Sequence, residues 1–186
     1  MVIRDRPIPA LLGDIQIQNA AGAITAIEYL QDSLPVSQSD IRHGLLGVKL
    51  TGRMQRIGTA EPEQIVDVAH NPHAARQLAE NMAKHPARGK THAVVAMLAD
   101  KDMSGVFSEL CAHVDHWYLA PLGVARGASA VELASACSSA CNEIPIDICE
   151  SVTAAAELAR QSAEQYDRII IFGSFYTVAE ILKQTV

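Results

Sequence analysis

Aromatic side chains are scarce in this 186-residue chain, with one Trp, three Phe and four Tyr. The core is therefore expected to be aliphatic, and the abundant alanines let helices pack close. No uninterrupted apolar run reaches the roughly 18 residues that a membrane-spanning helix needs. The amino-terminal stretch Met-Val-Ile-Arg-Asp-Arg-Pro-Ile-Pro lacks the apolar centre of a signal peptide, so the expected location is the cytoplasm. Basic residues are outnumbered, 15 Lys and Arg against 21 Asp and Glu, for a net charge of −6. That balance argues against nucleic-acid binding, which needs clustered cations on phosphates. The four cysteines, Cys111, Cys137, Cys141 and Cys149, form no C-x-x-C pair and no zinc-like spacing. They are expected to be reduced, packed thiols. Cys137 and Cys141, four residues apart on a probable helix, can approach each other. What the chain does have is 49% hydrophobic and 19% charged residues, the balance of an ordinary globular protein. Its length suffices for one good core, or for one domain and part of another.

Two helices open the chain. Ala20, Ala23, Ile24, Ile27 and Leu30 form the apolar stripe of a helix over about 16–30. A second helix follows Ser37-Gln-Ser-Asp40, which has capping-box spacing, and runs towards Leu46. From about Thr51 the pattern changes to alternating strands and helices. Strands are expected near 54–57, 65–68, 92–98, 116–119, 146–148 and 168–172. Helices are expected from Pro72, over about 103–113, from Ser129-Ala-Val-Glu132, over about 153–163, and from Phe175. This rhythm predicts an α/β fold, a Rossmann-like three-layer domain with a mostly parallel sheet of about six strands. The expected division is an incomplete helical part at 1–49 followed by an α/β domain at 50–186.

Two familiar signatures fail on inspection. Gly89-Lys90-Thr91 resembles the end of a phosphate loop, but position 84 is Lys where the loop needs Gly. The tripeptide also follows a helix and precedes a strand, the reverse of the required order. No G-x-G-x-x-G occurs. The pairs His70/His73 and His113/His116 have no third ligand in sequence, so no metal site is expected.

The most informative stretch is Asp67-Val-Ala-His70-Asn71-Pro-His. It lies between an apolar strand and an alanine-rich helix, with Asn71 as the N-cap and Pro72 in the first helical position. A carboxylate and an imidazole thus stand at the carboxyl end of a strand, where open α/β sheets bind ligands. Two further strands stop in small or polar residues, at Asp100-Lys101-Asp102 and at Gly173-Ser174. In a parallel sheet all three breaks share one edge. Arg53, just after a glycine, suits phosphate binding.

Taken together, Leu-Thr-Gly-Arg53-Met-Gln, Asp67-Val-Ala-His70-Asn71-Pro-His-Ala, Met97-Leu98-Ala-Asp100-Lys101-Asp102 and Gly173-Ser174-Phe-Tyr176-Thr-Val resemble the C-terminal half of bacterial dihydrofolate synthase/folylpolyglutamate synthase. That family belongs to the Mur ligase superfamily. The stretch Gln16-Ile-Gln-Asn19-Ala-Ala-Gly-Ala resembles the end of its central ATPase domain. The resemblance runs from about Pro7 onwards, in order. It implies a cytoplasmic, monomeric, ATP- and Mg²⁺-dependent amide ligase of folate biosynthesis and one-carbon metabolism. Such an enzyme activates a carboxylate of dihydropteroate or folate as an acyl phosphate, which the amine of L-glutamate then attacks. By the same resemblance Asn19, Arg53 and Asp67 contact the nucleotide side, with Arg53 near the phosphates. Asp67 and His70 are the implied catalytic pair, His70 near the glutamate. Ser174 and Tyr176 help to shape the glutamate site, and Lys101 adds a charge to the cleft without being catalytic.

The family begins with a P-loop domain that binds ATP and Mg²⁺ and carries a carbamylated lysine supporting the metal. Neither segment is present in this sequence. The expectation is therefore a fragment, the helical tail of the central domain joined to the C-terminal domain, inactive alone and holding half of a two-domain cleft. Two other readings remain open at this stage. One is a non-catalytic ligand-binding module of the same fold. The other is a peptidoglycan-precursor Mur ligase domain, which the Asp-Lys-Asp and Gly-Ser-Phe-Tyr-Thr contexts disfavour.

Overall fold

The computed structural model describes residues 6–11, 13–58 and 61–184. The first five residues of the stretch read above for a signal peptide lie outside it. The chain forms two compact units, Met1–Thr51 and Gly52–Val186. In the first, α1 (Asp14–Tyr29) and α2 (Gln38–Gly47) are the two expected helices. The Ser37/Asp40 capping box closes as the spacing predicts. The Ser37 hydroxyl accepts from the Asp40 N–H, and the Asp40 carboxylate accepts from the Ser37 N–H at 3.1 Å. Arg6 pairs with Glu28 at 3.1 Å. Ile24 and Ile41 are buried, and a cavity of about 510 Å³ lies between apolar side chains of the two helices, including Ala23, Ile27 and Leu45.

The second unit holds β1 (Gln55–Arg56), β2 (Glu63–Val66), α3 (Pro72–Lys84), β3 (Thr91–Val95), α4 (Met103–Leu110), β4 (His116–Leu119), α5 (Ala130–Ala140), β5 (Ile146–Ile148), α6 (Val152–Ser162), β6 (Arg168–Phe172) and α7 (Phe175–Leu182). The sheet order is β1-β2-β6-β3-β4-β5. All neighbours run parallel except β1, which pairs antiparallel with β2 through Gln55 opposite Val66. Helices α3, α4 and α5 pack side by side on one face, and α6 packs with α7 on the other. The alternation of a strand divides the buried residues between the two layers. Ile170 and Phe172 of β6 join the cluster under α3–α5, while Ile169 and Ile171 join the one under α6 and α7. Every residue of β3 and β6 is buried, as expected for central parallel strands with both faces covered.

Most boundaries fall where the pattern puts them, with instructive exceptions. Helix α4 ends at Leu110 and passes into a short 3₁₀ turn, Cys111–His113, before the extended Val114. Strand β2 ends at Val66 and β3 at Val95, short of the expected 68 and 98. The cysteine expectation is corrected. Cys111 and Cys141 form a disulfide with Cα atoms 5.5 Å apart, bringing together residues 30 apart in sequence. Only Cys137 and Cys149 are free. The approach was not readable from spacing because it needs α4 and α5 to lie side by side.

At the amino end of the strands, a buried polar group ties the layers together. His92, 3% exposed, meets the Asp167 carboxylate through Nε2 and the Tyr118 hydroxyl through Nδ1, both at 3.0 Å. Asp167 also accepts from the Lys90 and Glu164 N–H groups at 2.7 and 2.8 Å. Burial opposes ionisation of Asp167, but these donors outweigh it and hold the carboxyl below its ordinary range. A depressed folded value means that the group's contribution is present above about pH 4 and is lost as pH falls through the depressed value. Asp167→Ala should cost about 1–3 kcal/mol in urea unfolding near neutral pH, since it strands the buried His92 ring N–H and removes the acceptor of the Lys90 and Glu164 N–H groups. The difference between wild type and Asp167→Asn should shrink as pH drops below about 4.

Candidate functional site

Three strands end together at the carboxyl edge of the sheet. β2, β6 and β3 are adjacent and parallel, and beyond them the chain continues the ladder for one more bond each. Asp67 N–H donates to Ile171 C=O at 3.0 Å, and Ala96 N–H to Phe172 C=O at 3.4 Å. The helix following β6 lies on one face, while those following β2 and β3 lie on the other. Such a reversal at the strand ends is the place where α/β sheets accept ligands. The three breaks read from the sequence do share that edge.

Asp67 is 8% exposed, and its carboxylate is fully engaged with the backbone. Oδ2 accepts from Met54 N–H and Oδ1 from Ala69 N–H, each at 2.8 Å. Burial pushes its carboxyl up, against the lowering effect of those two N–H groups and of the Arg53 charge. The bond to Met54 fastens the turn before β1 to the end of β2. Gly52 C=O accepts from Val68 N–H at 2.9 Å, and Gly52 N–H donates to the Gln55 side chain at 2.8 Å. Gly52 has φ +71°, and a Cβ there would lie 2.7 Å from a Val68 methyl, so only glycine fits without rearrangement. The adjoining Arg53 is exposed. A rigid, buried clamp thus carries a free-standing guanidinium.

His70 is half-buried, and its Nδ1 lies 2.8 Å from Val68 C=O. A carbonyl only accepts, so Nδ1 carries the hydrogen and Nε2 is the acceptor of the neutral ring. Asn71 caps α3 by accepting from Ala74 N–H at 2.9 Å, with Pro72 next to it as expected.

On the β6 side, Gly173 has φ +117°, and a Cβ would sit 2.5 Å from Ala96 C=O. Ser174 is buried and serves as the N-cap of α7, accepting from Thr177 N–H at 3.0 Å. Its hydroxyl lies 2.8 Å from that of Thr177, which donates to Ala96 C=O at 2.7 Å. Tyr176, like Phe175, is exposed. On the β3 side, Asp102 caps α4 through Gly105 N–H at 2.9 Å, while Lys101 and Arg126 flank Asp100 at 3.5 and 3.6 Å. Asn19 belongs to the first unit, where it is exposed and donates to the Gln16 side chain at 3.2 Å.

The structure thus gathers Asp67, His70, Ser174 and the Asp100–Asp102 turn at one edge, with Arg53 next to Met54, whose N–H Asp67 binds. Thr177 escaped the sequence reading, although the Ser174-x-x-Thr177 spacing of a hydroxyl cap was present. Among the described residues, no group of three or more His, Cys, Asp and Glu side chains could hold a metal ion. None of the described helices is long and apolar enough to cross a membrane.

Fold and edge together define a Rossmann-like α/β domain with Arg53, His70 and Lys101 near the carboxyl ends of its strands. The chain belongs to the family described as Mur ligase, glutamate ligase domain, which matches residues 52–175. It is 38% identical over 183 residues to the dihydrofolate synthase/folylpolyglutamate synthase of Haemophilus influenzae, covering 89% of this chain and 41% of that protein. It is 40% identical over 165 residues to the enzyme of the same name from Escherichia coli, covering 89% and 37%. The chain therefore spans about 40% of the length of these relatives. Among solved structures, Escherichia coli FolC in complex with DHPP and ADP superposes with TM-score 0.84 at 37% identity, covering 97% of this chain and 40% of that one. The bifunctional folylpolyglutamate synthase/dihydrofolate synthase of Yersinia pestis, complexed with AMPPNP and Mn ion, gives 0.83 at 39%, covering 97% and 40%.

The clamp at Asp67 makes a stability prediction. Asp67→Asn keeps the volume but turns an amide group towards one of two backbone donors. It should cost about 1–3 kcal/mol in urea unfolding and speed hydrogen exchange at the Met54 amide. Unchanged exchange at Met54 would show that the turn before β1 is held by other bonds.

Proposed function

We propose that this chain is the nucleotide- and glutamate-side domain of a cytoplasmic, monomeric ligase that joins L-glutamate to dihydropteroate or folate at the expense of ATP. The observation that carries the reading is the exposed Arg53, next to Met54, whose N–H is bound by the buried Asp67 carboxylate, at the same sheet edge as His70. The relatives' names and their complexes with ADP and AMPPNP support it.

The reaction needs charge neutralisation on the transferring phosphoryl group and a deprotonated amine beside the acyl phosphate. An arginine offers a rigid fork of donors that matches phosphate oxygens. Fixing its backbone through Asp67 lowers the entropy lost when the guanidinium engages the nucleotide. In this reading Asp67 acts by placing Arg53, and Asn19 contributes to the nucleotide side from the first unit. His70, with Nδ1–H spent on Val68 C=O, presents Nε2 to accept a proton from the ammonium of glutamate, freeing the amine that attacks. Ser174 and Thr177 hold the α7 N-terminus beside this point, and Tyr176 offers an exposed phenol at the rim of the glutamate site. The donors on this edge fit the phosphates of ATP. A Mg²⁺ site is not built by the described residues, and we assign it to the part of the relatives that this chain does not span.

Two measurements test the reading. The chain alone, given ATP, dihydropteroate and glutamate, should release no phosphate above background, and turnover would refute its role as half of a site. In a full-length protein carrying this domain, Arg53→Ala should raise the KM for ATP roughly tenfold or more. His70→Ala should lower kcat by about 10²-fold with less effect on the ATP requirement. If His70→Ala leaves both turnover and glutamate dependence unchanged, the role assigned to its ring is wrong.

A further inference from the structure

The disulfide between Cys111 and Cys141 lies outside the site described above. It joins the carboxyl ends of α4 and α5, two neighbouring helices on the same face of the sheet. Cys111 follows the last residue of α4 and is partly exposed, whereas Cys141 is the C-cap of α5 and 4% exposed. Their Cα separation of 5.5 Å is within the usual range for a bridge, so the backbone needs no movement to make or break the bond. The surroundings suit the thiol form as well. The Cys111 sulfur faces the carbonyls of Phe107 and Ala140 at 3.1 and 3.4 Å, and the Cys141 sulfur faces that of Phe107 at 3.5 Å, so either S–H has an acceptor. Cys137 lies one turn before Cys141, where burial pushes its thiol up to about 12. A thiol so rarely ionised is a poor competitor in disulfide exchange.

We propose that Cys111 and Cys141 form a reversible thiol–disulfide couple, an oxidation site that takes a small disulfide such as oxidised glutathione and locks α4 to α5. The exposed Cys111 thiolate attacks one sulfur of oxidised glutathione, breaking its S–S bond and releasing one glutathione thiolate. The Cys141 thiol loses its proton to solvent and attacks the Cys111 sulfur of the mixed disulfide, releasing the second. Two protein thiols are oxidised, and one glutathione disulfide is reduced to two thiols. The lock closes a loop between residues 30 apart and stabilises mainly by restricting the unfolded chain. It acts at the ends of α4 and α5 away from the Asp100–Asp102 turn, so it sets stability and leaves the ligand edge in place.

The test uses the full chain, reduced and then incubated with oxidised glutathione. Thiol titration in denaturant should fall from four groups to two, and peptide mapping should find the Cys111–Cys141 link. The melting temperature should rise by roughly 5–12 °C, returning on reduction. Cys149→Ser should still oxidise in the same way. Cys111→Ser should keep its three remaining thiols free of intramolecular linkage, and its melting temperature should not respond to oxidant. Cys141→Ser, should Cys111→Ser fold poorly, should instead be trapped as a glutathione adduct at Cys111. Four thiols persisting in the wild type, a link involving Cys137 or Cys149, or a melting temperature indifferent to the bond would each overturn the proposal.

Discussion

Everything in the α/β unit depends on where β6 lies. This last strand enters between β2 and β3, parallel to both, and bonds to each along its length. Its four apolar residues, Ile169 to Phe172, are fully buried and serve both layers of helices in alternation. Until β6 arrives, β2 and β3 cannot share a sheet, and their polar ends cannot face one crevice. Non-local insertion of this kind carries a large closure entropy, which the burial of both strand faces must offset. The fold therefore makes its ligand edge late in the chain and builds it from distant segments.

The same constraint explains why the edge is so rigid. Gly173 passes too close to Ala96 for any side chain, and Thr177 bonds back to the Ala96 carbonyl. On the other side of β6, Asp67 spends both carboxylate oxygens on backbone N–H groups. These buried contacts fix the frame, while the groups that can meet a ligand, Arg53, His70, Lys101 and Tyr176, remain exposed or half-buried. The buried side chains here set the geometry of the edge, and the exposed ones do not. At the opposite end of the strands, the His92, Asp167 and Tyr118 group ties together β3, β4, the start of β6 and the loop before β3.

Local signals in the sequence proved informative wherever a short-range interaction decides the structure. The N-caps at Ser37, Asn71 and Ser129 all close as their spacing suggests, because a cap needs only three or four neighbouring residues. Strands 116–119, 146–148 and 168–172 match their apolar runs residue for residue. The C-terminal limits of α4, of β2 and of β3 did not follow the pattern. After α4 a 3₁₀ turn, invisible to periodicity, ends the element. The buried pairing of His92 with Asp167 joins residues 75 apart, and nothing in local spacing announces it.

By itself, the sequence determined which segments are helix or strand and that three strands end in polar residues. It also carried the family, through motifs at Arg53, Asp67–His70, Asp100–Asp102 and Gly173–Tyr176. Tertiary structure alone decided the strand order, the use of Asp67 as a backbone clamp, the commitment of Ser174 to a cap, and the meeting of Cys111 with Cys141. The reason is physical. Propensity, capping and period act over a few residues, whereas strand pairing and buried hydrogen bonds are chosen by the packing of the whole domain. A carboxylate at a strand end becomes a ligand or a strut only when the fold decides which donors it meets.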